Sequence, residues 1–169
     1  MTGRTFVDSN VLVYARDTRD RAKQARAADW LAMLWRARTG RIGIQVLSEY
    51  YVTVTRKLRP GLSADEAWDD VRLLMSWRPQ PLDEQLLEHG RDIERRFRLS
   101  WWDSLVVAAA QLQDCSTLLS EDFQNGMEFD TVVVSNPFAL KAGESGPPYN
   151  VAETAIPRHR PRGRPKRRE

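Results

Sequence analysis

Apolar positions along the chain alternate between two periods. Residues 4–8 make a short apolar approach, Phe6-Val7, closed by Asp8, and read as a buried strand. From Asn10 to Ala15 the pattern changes to the start of a helix. Residues 22–38 are helical, with Ala28, Leu31 and Trp35 at helical spacing, and residues 41–44 form a short strand after the Gly40 stop. Val46, Leu47, Tyr50, Tyr51, Val54 and Leu58 are spaced for one helix face, although Val52-Thr53-Val54-Thr55 alternates as a strand does; Pro60-Gly61 ends the segment. Ser63 with Glu66 is a capping-box pattern opening a helix to Trp77. Pro79 and Pro81 bracket an extended segment around Leu82, and residues 83–97 form an amphipathic helix. Residues 100–114 follow as a helix with Trp102, Leu105, Val106, Ala109 and Leu112 facing inward; residues 117–120 and 131–135 are strands. Short apolar strands alternating with helices predict an α/β fold, a three-layer α/β/α sandwich around a short parallel sheet.

The pattern stops after Pro137-Phe138. Residues 1–140 are therefore expected to form one domain. Residues 141–169, rich in proline and arginine and poor in large apolar side chains, are expected to be a flexible tail. Charge divides at the same place. Of the net +3, the tail carries +5 and residues 1–140 carry −2, so the pI of 9.3 describes the tail rather than the body. Such asymmetry points to a tail with an anionic partner.

The 169 residues suffice for one domain with a real core. No apolar run approaches a membrane span, and the N-terminus has no signal-peptide pattern. The single cysteine, Cys115, cannot form an internal disulfide. A cytoplasmic protein with no membrane partner is the expectation.

Four carboxylates stand out by position. Asp8 closes the first strand, Glu49 lies at the edge of an apolar helix face, Asp103 falls in the first turn of an apolar helix, and Asp122 follows the strand 117–120. Ligands of parallel α/β sheets bind beyond the carboxyl ends of the strands, where Asp8 and Asp122 project and where a helix start carrying Asp103 can lie. Carboxylates so gathered repel by about 1 kcal/mol per pair at ~4 Å even in water-like dielectric. A hard cation, Mg²⁺ or Mn²⁺, relieves that repulsion. Each residue also has a purely structural reading. Asp8 or Ser9 can cap the helix from Asn10, Asp103 fits a capping box with Ser100, Glu49 can be half-exposed, and Asp122 can be turn chemistry before Gly126. The two histidines, His89 on a charged helix and His159 in the tail, argue against a Ser-His-Asp or Cys-His site. Zinc spacing, a P-loop and a G-x-G-x-x-G pattern are all absent.

The stretches "FVDSNVLVYA", "QVLSEYYVTVTRKL", "WWDSLVVAAAQLQDCSTLLSEDFQNG" and "VVVSNPF", in this order and spacing over residues 4–138, resemble the PIN-domain family, and within it the VapC-type toxins. The resemblance implies an α/β/α sandwich and Mg²⁺- or Mn²⁺-dependent hydrolysis of phosphodiester bonds, mostly in RNA. Its four acidic positions match Asp8, Glu49, Asp103 and Asp122. It implies metal binding by Asp8, Asp103 and Asp122, completion of the site by Glu49, and placement of a water or phosphate oxygen by Ser9 and Ser120. It further implies a cognate antitoxin and a homodimer. Glu121 directly precedes Asp122, leaving open which of the two serves, and a short VapC toxin ends near Phe138.

The excess chain contains Arg162-Gly163-Arg164-Pro165 followed by Lys166, Arg167 and Arg168, which resembles an AT-hook. Glycine permits close backbone approach, and arginines can enter a narrow A·T minor groove; a generic basic tail binds any polyanion by counterion release. Three functions are therefore weighed: a ribonuclease toxin, a DNA-directed nuclease recruited by its tail, and a non-catalytic nucleic-acid-binding module.

Overall fold

The computed structural model describes residues 3–139, so the tail and its AT-hook-like residues lie outside the described residues. Five strands, β1 (Arg4–Val7), β2 (Gly40–Arg41), β3 (Cys115–Leu119), β4 (Glu128–Phe129) and β5 (Val132–Ser135), form one sheet in the order β2-β1-β3-β5-β4. Its helices are α1 (Ser9–Tyr14), α2 (Arg21–Ala37), α3 (Ile44–Val52), α4 (Ala64–Leu74), α5 (Glu84–Phe97) and α6 (Trp101–Leu112). Successive strand residues face opposite sides of a sheet. Thr5, Phe6 and Val7 are all fully buried, as are Leu118 and Leu119, so helices cover both faces of the central strands. The protein is an α/β sandwich of the expected kind.

The sheet is mixed rather than wholly parallel. β1 pairs in parallel with β2 and β3, and β3 with β5, but β4 pairs antiparallel with β5. Only Asp130 and Thr131 separate β4 from β5, and Asp130 adopts a left-handed φ of 54°. A two-residue connection closes a hairpin and cannot carry a parallel crossover. With two residues each, β2 and β4 were too short for a period-2 pattern to reveal.

Other departures are rotational. The buried face of α2 is Ala27, Trp30 and Leu34, one residue before the expected stripe, and Trp35 is exposed. In α6 Leu105, Val106 and Ala109 are buried as expected, but Trp102 is 43% exposed. The segment expected as one helix to Leu58 is α3 followed by a π-helical turn, Thr53–Lys57. The strand expected at 41–44 ends early, though Ile42 and Ile44 exchange backbone hydrogen bonds with Gln80. Close packing of α5 on α6 depends on Gly90, where a Cβ would lie 2.6 Å from Leu105 Cδ2. Ser63 and Glu66 form the expected capping box on α4. Among the described residues no helix is long and apolar enough to cross a membrane.

Candidate active site

The strand order reverses between β1 and β3. The chain leaves β1 to reach β2 on one side, and later returns to β3 on the other. Such a switch point opens a crevice beyond the carboxyl ends of the two strands. Val7 and Leu119 are paired in register there, so the next residues, Asp8 and Ser120, emerge side by side.

Both are fully buried, and Ser120 Oγ donates to Asp8 Oδ2 at 2.7 Å. Asp8 also caps α1. Its Oδ1 accepts from the Ser9 backbone N–H at 2.7 Å, so capping and facing the crevice are compatible rather than rival roles. Burial of a carboxylate is costly unless hydrogen bonds replace water. Here the Asn10 amide supplies another, donating to Asp8 Oδ2 at 3.3 Å.

Asn10 is the site residue that composition and spacing did not single out. Its Nδ2 lies 3.1 Å from Ser120 Oγ and 3.1 Å from Asp122 Oδ2, and its Oδ1 accepts from the Glu121 N–H at 3.3 Å. One side chain thus gathers groups 110 and more residues away, and brings the exposed Asp122 to the nitrogen that Asp8 shares. The Asp122 N–H donates to Ser120 Oγ at 3.1 Å. Glu121 turns the other way. It accepts from Lys23 Nζ at 2.6 Å and from Tyr14 Oη at 3.0 Å.

A second pair stands on the helices. Ser9 Oγ donates to Glu49 Oε2 at 3.0 Å, which links α1 to α3. Gln45, one turn earlier on α3, donates from Nε2 to Glu49 Oε1 at 2.8 Å and to the Trp102 carbonyl at 3.3 Å. That carbonyl immediately precedes Asp103, which is 2% exposed. Ser100 caps α6, accepting from the Asp103 N–H at 3.2 Å and donating to Asp103 Oδ2 at 2.7 Å. A hydrogen-bonded path therefore runs from Asp122 through Asn10, Asp8, Ser9, Glu49 and Gln45 to the residue before Asp103. Gln45, like Asn10, is a member that the sequence pattern did not mark.

The donor set is all oxygen, which suits Mg²⁺ or Mn²⁺ in kind. Among the described residues no group of three or more His, Cys, Asp or Glu side chains that could hold a metal ion is gathered. Mg²⁺ commonly takes one or two carboxylates and completes its shell with water and substrate oxygens, and the Asp8–Asp122 pair fits that use. Other nucleophiles are poorly placed. Burial pushes the Cys115 thiol up to about 12, and His89 is engaged with Gln111 at 2.6 Å.

Away from these carboxylates an apolar groove of about 290 Å³ lies between α2 and α4, lined among others by Leu31, Trp35, Leu73, Leu74 and Trp77. At its edge Asp70 is paired with Arg16 and accepts from the Tyr50 hydroxyl.

Comparison with solved structures returns the same architecture. FitAcB from Neisseria gonorrhoeae superposes with a TM-score of 0.59 at 19% identity, over 80% of this chain and 99% of that one. VapC20 from Mycobacterium tuberculosis, described as a sarcin-ricin-loop-cleaving toxin, gives 0.53 at 20%, over 70% and 91%. VapBC2 from Rickettsia felis, bound to a fragment of its promoter DNA, gives 0.53 at 14%, over 78% and 97%. No curated protein matches the chain in sequence. The family model of the PIN domain matches residues 5–125, which span β1 through the loop bearing Asp122. The chain belongs to the PIN-domain family, a family of nucleases.

Proposed function

We propose that the protein is a divalent-cation-dependent endoribonuclease and the toxin of a toxin–antitoxin pair. The observation that carries this reading is the meeting of Asp8 and Asp122 on one Asn10 nitrogen at the switch point of the sheet. In this reading Asp8 and Asp122 would hold Mg²⁺ or Mn²⁺, and Asp103, which the described arrangement does not gather with them, would join as a third ligand when the ion binds. The bound ion supplies a water activated at neutral pH and offsets charge at the scissile phosphate. Glu49, anchored by Ser9 and Gln45, accepts the proton of the attacking water or fixes its orientation. Ser9 and Ser120, whose hydroxyls donate to Glu49 and Asp8, position a water or phosphate oxygen in this reading through the carboxylates they hold. Toxin–antitoxin identity is supported by structural relatives described as a toxin, VapC20, and as a toxin–antitoxin complex, from Klebsiella pneumoniae. A homodimer and an RNA substrate belong to the same reading.

The +5 charge of residues 141–169 favours one further reading, in which the tail, through Arg162, Gly163, Arg164, Pro165, Lys166, Arg167 and Arg168, brings the domain to A·T-rich DNA. The full chain and a version ending at residue 140 are to be assayed on RNA and on A·T-rich DNA, with Mg²⁺ and with chelator. Cation-dependent RNA cleavage by both forms is expected, with the longer form binding nucleic acid more tightly at low salt. Cleavage of DNA alone, and only with the tail present, would favour the second reading. Binding without cleavage of either substrate would reduce the protein to a nucleic-acid-binding module.

A further inference from the structure

A charged cluster next to the β3–β4 loop takes no part in the nuclease reading. Lys23, on the first turn of α2, is the hub. Its ammonium donates to Glu121 Oε2 at 2.6 Å and to Tyr14 Oη at 3.1 Å, and Tyr14 Oη in turn donates to Glu121 Oε1 at 3.0 Å. The same ammonium lies 4.3 Å from the Tyr14 ring centroid and 4.9 Å from that of Phe138, and these rings meet edge to face at 4.8 Å. Arg26, one turn along α2, donates to the Phe138 carbonyl at 2.9 Å. Lys23 and Glu121 are each about a quarter to a third exposed, so the pair is shielded more than a surface ion pair.

What this cluster holds is the loop after β3. Glu121 is fastened on one side through its carboxylate to Lys23 and Tyr14, and on the other through its N–H to Asn10. The next residue is Asp122, whose carboxylate accepts from Asn10 and whose N–H donates to Ser120. Asp122 is exposed and its side chain is short, so the position of the loop backbone decides whether its carboxylate reaches Asn10. Here that backbone is clamped between α1 and α2.

We propose that Lys23 is a positioning residue of the nuclease: by binding Glu121 it fixes the backbone of the β3–β4 loop so that Asp122 faces Asp8. Glu121 serves as the tether and not as an alternative ligand. The proposal rests on the nuclease reading for its catalytic consequence, but its structural part stands apart from it.

The test uses the full chain with Lys23→Met, Lys23→Arg and Glu121→Gln, each also placed on an Asp122→Asn background. Two quantities are read: RNA cleavage with Mg²⁺, and hydrogen–deuterium exchange of the peptide spanning residues 119–127. Lys23→Met is expected to speed exchange in that peptide while the β1 and α6 peptides keep wild-type protection. It should lower cleavage roughly tenfold, as loss of an orienting partner does. Lys23→Arg should restore most of both, and Glu121→Gln should resemble Lys23→Met. On the Asp122→Asn background, removing Lys23 should cost no further activity. Unchanged exchange in Lys23→Met, or a full additional loss on the Asp122→Asn background, would overturn the proposal. Absence of cleavage by the wild type would refute the nuclease reading, while the exchange comparison would still decide the tether.

Discussion

At the scale of single residues, the crevice is organised by neutral groups as much as by its acids. Asn10 holds Asp8 and Asp122 without adding charge, which lets two carboxylates approach while each keeps a donor. Asn10→Ala is expected to weaken Mn²⁺ binding and RNA cleavage by roughly ten- to a hundredfold. Manganese titration followed by electron paramagnetic resonance checks the binding, and unchanged affinity would remove Asn10 from the site. The positions of Asp8, Glu49, Asp103 and Asp122 were legible in the chain because a strand end, a helix edge and a helix start are local features. The partners Asn10, Gln45 and Lys23 were not, because their roles arise from contacts 98 to 112 residues distant or, for Gln45, from a carbonyl on another helix. Asp8 shows the limit most clearly. Read locally it is either a cap or a ligand, and the fold makes it a cap whose other oxygen accepts from Ser120 and Asn10 at the switch point.

At the scale of elements, helices were legible as existing but less so in their rotation. The α2 stripe was assigned to Ala28, Leu31 and Trp35, whereas Ala27, Trp30 and Leu34 are buried. Both stripes have helical spacing, and the choice between them depends on which neighbour the helix packs against. Trp30 is fully buried and Trp35 is 39% exposed. Trp30→Ala should therefore destabilise by about 3–5 kcal/mol, the usual cost of emptying a core aromatic site. Trp35→Ala, on the groove, should cost much less. Urea unfolding of the two variants decides it, and equal losses would contradict the described face. Trp102 departs for a related reason. It lies in the first turn of α6, whose buried face begins with Asp103 and Ser104 rather than with the tryptophan. The short strands β2 and β4 carry too few residues for any alternation to show, so the antiparallel edge could be known only from the fold.

At the scale of the whole molecule, the sequence concentrates positive charge in residues 141–169, while the described residues gather carboxylates beyond β1 and β3 and carry ion pairs such as Arg19–Asp17 and Arg96–Asp130 elsewhere. Two of these pairs give the body a pH dependence. Hydrogen bonds from Arg19 hold Asp17 below its ordinary value of 3.8, and hydrogen bonds from Arg96 do the same for Asp130. A carboxylate depressed on folding contributes stability above its unfolded pKa, and that contribution is lost as pH falls through the folded value. The urea midpoint should thus hold near neutral pH and drop as the pH falls through 3.8 and below, and Asp17→Asn should flatten the drop. A midpoint that rises on acidification would contradict this. The Lys23 ammonium works in the opposite sense. Burial lowers its pKa, but bonds to Glu121 and Tyr14 outweigh burial and leave it above 10.5, so the tether is intact through neutral pH and is lost only as the pH rises through that higher value.

The chemistry proposed for the carboxylates beyond β1 and β3 is phosphodiester hydrolysis. The most direct measurement is the rate of RNA cleavage in Mg²⁺ by the wild type and by Asp8→Asn, with matched circular dichroism to establish that both are folded. The expected result is cation-dependent cleavage by the wild type and a loss of roughly a hundredfold or more in the variant, at least as large as for loss of an orienting partner. Cleavage by Asp8→Asn at the wild-type rate would contradict the account.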